Sequence, residues 1–275
     1  MRYDRDYTLT IQTDLDEAIV VRPPFNIVFS ADKATDRSLN KMNVKIYGLS
    51  RERQLNIVKS AEQEQNFEVE LKIGYAGNVE TIFRGYINVG ESSRDGAERP
   101  LTLECIDGGF DARFSFTSRT VVNKNPIETI LEDMPNTRRG RITETTNLLR
   151  PRVLVGNSWK LIREQVNDEE FFIDNGQLNV LQRDEVLNSF TPVVQPSTGL
   201  LSTPTVEDGV ITFQTMMNPS IVIGGLCQVN SSENSSVNGI YKVTVINYDG
   251  EYNGQSWLQT VTAVFSRDFR VVNQS

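Results

Sequence analysis

Carboxylate groupings are the first candidates for polar chemistry in this chain, because it contains no histidine. That absence removes every mechanism needing an imidazole base or ligand: Ser-His-Asp and Cys-His triads, HExxH zinc sites and His-containing deaminase centres. Paired carboxylates can serve glycoside or metal-assisted hydrolysis, and three groupings are candidates: Asp14, Asp16 and Glu17; Asp168, Glu169 and Glu170; Asp249 and Glu251. Each sits where a turn or cap accounts for it, and none supplies a second partner at a defined separation. Gly108-Gly109 and Gly224-Gly225 can cradle an anion, yet neither leads into a helix with Lys-Ser/Thr as a phosphate loop requires. They read as bulges or tight corners. Trp159 and Trp257 lie on periodic elements and read as packing residues rather than sugar platforms. The Asn-Ser-Ser triplets at Asn230 and Asn234 match a glycosylation acceptor, but in a chain without a signal peptide they indicate a polar loop. The expectation is a protein with no catalytic, cofactor-binding or metal residues.

Composition narrows the class. The 275 residues can form two domains or one elaborated β domain. With 28 Lys plus Arg against 36 Asp plus Glu, the net charge is -8, which argues against binding driven by phosphate neutralisation. A count of 28 Val, 19 Ile and 22 Thr against 20 Leu and 8 Ala favours sheet over helix, and 23 Asn suit many tight turns. Cys105 and Cys227 lie in apolar alternating stretches and read as buried free thiols of a reduced compartment. No run approaches ~18 apolar residues, and Met1 to Asp6 lacks the apolar core of a signal peptide. A soluble protein made in a cytoplasm, with no membrane insertion, is expected.

Local patterns place the elements. Residues 1–118 read as a succession of strands with one inserted helix. Tyr7 to Ile11, Ile19 to Val21, Ile27 to Phe29 and Val44 to Tyr47 are strands, and a helix with Ser50 as N-cap follows Leu49. Phe67, Val69, Leu71, Ile73 and Tyr75 share one face opposite Glu68, Glu70 and Lys72. Strands then follow at Ile82 to Ile87 and Leu101 to Cys105, and alternating Phe114 and Phe116 predict a strand over Phe110 to Phe116.

Residues 119–190 read as a small α+β unit: Asn125-Pro126 opens one helix, Ser158 caps another, and Asn175-Gly176 turns a hairpin. Its Arg138, Arg139, Arg141, Arg150 and Arg152, opposed by Glu144, read as a solvated or interface stretch, since no aromatic residues interleave them. Residues 191–204 form a linker or crossing loop. Residues 205–275 are a second all-β region, with strands at Val210 to Phe213, Ile221 to Ile223, Tyr241 to Val245 and Val261 to Phe265 and turns at Asp208-Gly209 and Asp249-Gly250. The fold class is mainly β with an α+β insert. The strand number suggests two barrel-like units flanking the insert.

The C-terminal text, Asn218-Pro219-Ser220-Ile221, Gly224-Gly225, Gly239-Ile240-Tyr241-Lys242-Val243, Asp249-Gly250 and Trp257, resembles the closing barrel of phage baseplate hub proteins from contractile tails, the late-control-protein-D and T4-hub-like group. Asn43 to Ser50, Gly74 to Gly77, Ile82 to Ile87, Ser158 to Ile162 and Ile173 to Val180 agree with it. The resemblance implies a structural virion protein of the tail baseplate, a homotrimer with two tube-like β domains per chain. It implies a ring that adapts a hexameric tail tube to a trimeric spike and lets DNA pass without specific binding. The chain ends too soon for a fused spike or lysozyme, so spike, tube and other baseplate proteins are expected as separate partners. An adhesin or carbohydrate-binding module with clustered exposed aromatic residues, and a carboxylate-based cell-wall hydrolase, are the competing classes.

Overall fold

The computed structural model describes residues 4–13, 18–62, 67–94, 96, 98–143, 151–166, 169–187, 190–265 and 269–271. The N-terminal region contains β1 (Arg5–Ile11), β2 (Ile19–Val21), β3 (Ile27–Ala34), β4 (Lys41–Ile46), α1 (Arg51–Glu62), β5 (Glu68–Tyr75), β6 (Asn78–Ser92), β7 (Leu101–Ile106) and the short α2 (Gly109–Phe114). The middle region holds β8 (Phe116–Val121), α3 (Pro126–Leu131), β9 (Arg138–Ile142), β10 (Arg152–Asn157), α4 (Ser158–Gln165), β11 (Glu170–Asp174) and β12 (Gln177–Leu181). The remainder comprises β13 (Glu185–Val186), β14 (Val193–Val194), β15 (Thr205–Glu207), β16 (Val210–Met216), β17 (Leu226–Val229), β18 (Gly239–Glu251), β19 (Trp257–Phe265) and β20 (Arg270–Val271).

The class is mainly β, as the alternating patterns predict. Thirteen strands form one sheet in the order β15-β16-β19-β18-β3-β4-β7-β6-β5-β1-β2, with β17 also on β18 and β14 on β17. Among the described residues this order is open and closes no barrel. The two β regions are instead joined directly, by an antiparallel ladder that runs from Val245 opposite Ala34 to Glu251 opposite Val28. Sequence period assigns faces to strands but not partners, so this join is invisible until the strands are placed.

One apolar cluster runs beneath both regions, from Tyr7, Phe29 and Phe83 to Phe213, Val243 and Val261. A second fills the insert with Ile127, Ile130, Trp159, Ile162, Phe171 and Val180. Adjacent side chains of β11 serve different clusters, Phe171 the insert and Phe172 the large sheet, because successive strand residues point to opposite faces. Burying a phenylalanine contributes roughly 1.5–3 kcal/mol, so β11 is fixed from both sides.

Several local expectations change. Phe110 to Phe114 is helical: Gly108, with φ of 67°, starts α2, and the two phenylalanines four residues apart bring their rings to 4.9 Å. The α4 cap is Asn157, whose Oδ1 accepts the Lys160 N–H at 3.1 Å, while Ser158 is buried against Thr117. Ile221 to Ile223 forms a turn, with the Ile221 N–H donating to the Asn218 carbonyl at 3.1 Å. Asp249-Gly250 lies inside β18 and the chain turns beyond it. Gly250 is needed there because a Cβ would come within 2.3 Å of the Phe29 ring. Residues 191–204 carry β14, which pairs in parallel with β17. By contrast, Asn125 caps α3 as its spacing predicts, and Asn175-Gly176 joins β11 to β12.

Candidate functional site

Two lysines are buried beneath the joined sheet, Lys33 on β3 and Lys242 on β18, the latter fully inaccessible. Their carboxylate partners stand at the two ends of one strand of the insert. Lys242 Nζ lies 2.8 Å from Glu170 at the start of β11, and Lys33 pairs with Asp174 at its end. Buried charges require such partners. Lys242 Nζ also donates to the Arg183 carbonyl at 3.2 Å. β11 therefore bridges β3 of the N-terminal region and β18 of the C-terminal one.

Neutral groups complete the seam. Asn40 Nδ2 donates to the Ile173 carbonyl at 2.7 Å, and its Oδ1 accepts the Ala34 N–H at 3.0 Å. Asp111 accepts from the Asn136 N–H and side chain and from Thr137 Oγ1, tying α2 to the loop before β9. Asp107 Oδ1 accepts the Gly176 N–H at 2.9 Å, while its buried Oδ2 has no hydrogen-bond partner. Burial, reinforced by Asp174 and opposed by Lys33, pushes the Asp107 carboxyl up to about 7. A cavity of about 320 Å³ beside it is lined by Glu68, Arg84, Tyr86, Asp107, Asn136 and Arg138, and Arg84 pairs with Glu68 there. The charges neutralise one another across element boundaries, which makes the seam a mechanical fastening.

Of the acids singled out from the sequence, Asp14, Asp16, Glu17 and Asp168 lie outside the described residues, as do Glu144 and Arg150. The Glu169 carbonyl accepts from Arg37 at 3.1 Å, and Asp249 is exposed on the sheet. The Glu251 carbonyl accepts from Arg5 at 2.9 Å. Among the described residues no group of three His, Cys, Asp or Glu can hold a metal. Gly108 packs against Ile173 and Gly224 against Phe172. Asn234 Oδ1 accepts the Ser236 N–H within its polar loop, and the Asn230 N–H donates to the Val194 carbonyl. Trp159 packs against Phe171 with the rings tilted and their centres 4.9 Å apart, and Trp257 meets Phe29 edge-on at 5.6 Å. Both tryptophans are buried. Cys105 and Cys227 are free and buried, and burial raises both thiols, Cys227 to about 12. In the arginine stretch, Arg139 pairs with Glu128 and Arg152 donates to Gln165.

The residues that the sequence reading passed over are Lys33, Asp107, Asp174 and Lys242. For Lys33 a signal existed: it falls in phase with Ile27, Phe29 and Ala31, on the buried side of β3.

The outward face of the sheet crosses the join without interruption. Its cross-strand rows run Gln214, Thr260, Asn247, Asp32, Lys41 and Leu258, Asp249, Ser30, Asn43, Glu104, with Thr212, Thr262, Lys45, Thr102 and Glu91 beside them. Small uncharged polar residues predominate, and acids outnumber lysines.

Two β regions fused into one sheet, clamped by an insert through buried ion pairs, define a structural scaffold of the phage tail protein fold. The 43 kDa tail protein of prophage MuSo2 from Shewanella oneidensis has this fold at 8% identity and a TM-score of 0.64, over 94% of this chain and 96% of that one. A tail protein from Neisseria meningitidis MC58 matches at 10% identity and a TM-score of 0.60, over 96% and 98%. The E. coli c3393 protein matches at 11% identity and a TM-score of 0.59, over 95% and 78%. It is described as a type VI secretion system component structurally similar to T4 tail proteins gp27 and gp5. No curated protein matches in sequence. The chain belongs to the baseplate hub gp41 family, whose profile matches residues 7–263. It is a structural protein of the phage tail baseplate. Among the described residues no helix is long and apolar enough to cross a membrane.

Proposed function

We propose that this chain is a trimeric hub that adapts a hexameric tail tube to a trimeric central spike and lets the genome pass. Three chains with two β regions each offer six comparable units to the tube, and threefold symmetry suits the spike. The observation that carries this reading is the ladder between β3 and β18, which holds both regions side by side as one wall. In this reading residues 1–118 and 205–275 are the tube-like units, 119–190 is the insert, and 191–204 is the crossing segment.

The outward face of the sheet then lines the lumen. Its serine, threonine and asparagine rows, with an excess of carboxylates over lysines, repel phosphate instead of holding it, so DNA slides. Tube, spike and other baseplate proteins are separate partners, and the chain acts as a scaffold in the virion, synthesised in the host cytoplasm. Light scattering with negative-stain imaging of purified protein tests this. A threefold ring with a central hole is expected, and a monodisperse monomer at all concentrations overturns it.

A further inference from the structure

The turn between β18 and β19 carries reactive covalent chemistry that the seam does not use. An asparagine followed by glycine is the pairing whose side-chain amide the chain itself attacks most readily. With no Cβ in the way, the glycine nitrogen swings onto the asparagine Cγ, and the reaction is intramolecular. The chain has three such pairs, Asn175-Gly176, Asn238-Gly239 and Asn253-Gly254, and the first and third share the tripeptide Asn-Gly-Gln. Local sequence therefore gives those two the same reactivity, and any difference between them comes from the fold.

Two of the three pairs are locked. The Gly176 N–H donates to buried Asp107 at 2.9 Å and Asn175 Oδ1 accepts from Lys33 Nζ at 3.5 Å, so attack there requires the charged seam to open. Gly239 stands in the ladder opposite Val229, and Asn238 Oδ1 accepts the Ser231 N–H at 2.6 Å. Asn253 is exposed. Its side chain makes no hydrogen bond among the described residues, and only its backbone N–H is held, by Asn26 Oδ1 at 3.1 Å. The Gly254 N–H reaches the Glu251 carbonyl at 3.3 Å, a long bond that opens at little cost.

A side chain from the other β region restrains this turn. Arg5 of β1 donates to the carbonyls of Glu251, Gly254 and Gln255 at 2.9, 2.6 and 3.0 Å, with its guanidinium 5.7 Å from the centre of the Trp257 ring. Tyr7 of the same strand meets Tyr252 edge-on at 5.3 Å. β1 shares no ladder with β18 or β19, so these side-chain contacts are what tie it to the turn.

We infer that Asn253-Gly254 is a site of spontaneous deamidation in the folded protein, and that its isoaspartyl product releases the Arg5 tie. The Gly254 nitrogen bonds to Asn253 Cγ, the Cγ–Nδ2 bond breaks, and the proton lost from Gly254 leaves on the departing nitrogen as ammonia. Water then opens the cyclic imide at either carbonyl, giving aspartate or isoaspartate and one added negative charge. Isoaspartate lengthens the main chain between residues 253 and 254 by a methylene. The Gly254 and Gln255 carbonyls then move off the Arg5 guanidinium, and a joint between the two β regions loosens with age.

The test ages the full chain in mildly alkaline buffer, folded and in urea, and follows each asparagine by peptide mass spectrometry. In the folded protein, conversion at Asn253 is expected to run at least about tenfold faster than at Asn175 or Asn238, which need local opening first. In urea the two Asn-Gly-Gln sites should convert at the same rate. Equal rates at Asn175 and Asn253 in the folded chain, or no conversion at Asn253 there, overturns the site. The isoaspartyl form, separated from the fresh protein, should exchange the amide hydrogens of residues 251–256 at least about fivefold faster, and Arg5→Ala should do so without ageing. Exchange as slow as in fresh wild type, in either protein, overturns the release of the tie.

Discussion

At Asp107 a carboxyl is buried with one oxygen satisfied and the other unpaired. Burial lifts its carboxyl from the ordinary 3.8 to about 7 in the folded chain. In that interval the folded chain keeps the proton that the unfolded chain has released, so stability is full below pH 4 and falls as pH rises through 7. Asp107→Asn keeps the acceptor for Gly176 and cannot ionise. It should raise the free energy of unfolding at pH 8, read from urea denaturation, by roughly 2–4 kcal/mol at most, and flatten the profile between pH 4 and 7; an unchanged slope would refute the assignment. Gly250→Ala acts through packing, since its Cβ would strike the buried Phe29 ring. Overpacking costs about 1–3 kcal/mol, and thermal melting should register that loss. Neither residue was legible as special in the sequence: Gly108-Gly109, next to Asp107, read as a bulge or tight corner and Asp249-Gly250 as a turn. What distinguishes them comes from residues distant in the chain, Gly176 and Phe29.

Among the elements, β11 has the most consequential position, with an ion pair to a different β region at each end. Glu170→Ala should cost about 3–5 kcal/mol, because it leaves Lys242 buried and charged, whereas Glu170→Gln with Lys242→Met should recover most of it. Urea denaturation of the three proteins, with hydrogen exchange on β11 and β12, checks this. A neutral Glu170→Ala would sink the fastening role. Elements dominated by local signals were readable: β5 from its alternation, α3 from Asn125-Pro126, the hairpin from Asn175-Gly176. Elements set by distant partners were not. Phe110, Phe114 and Phe116 satisfy a period of two at one end and a period of four at the other, and the start at Gly108 decides for helix. Ile221 to Ile223 is apolar enough for a strand, but it is buried within a turn instead.

For the whole molecule, the repulsive-wall idea makes a direct prediction. Wild-type protein should not shift a DNA duplex at about 0.1 M salt, whereas Asp32→Lys, Asp249→Lys and Glu104→Lys together should create binding that weakens steeply as salt rises. Binding by the wild type, or none by the variant, would contradict the lumen assignment. The mainly-β class and the hub resemblance were legible in strand and turn patterns spread along the chain. The union of the two β regions was not, because no local pattern records which strand meets which. That union also has a cost in time. Asp32 and Asn247, bonded side by side across the join, are 215 residues apart, and ribosomes add about 5–20 residues per second. For ten seconds or more after β3 emerges, its outer edge waits without β18. The nascent chain is then exposed to mispairing with its neighbours, and slower translation of the last third should lower the yield of folded protein.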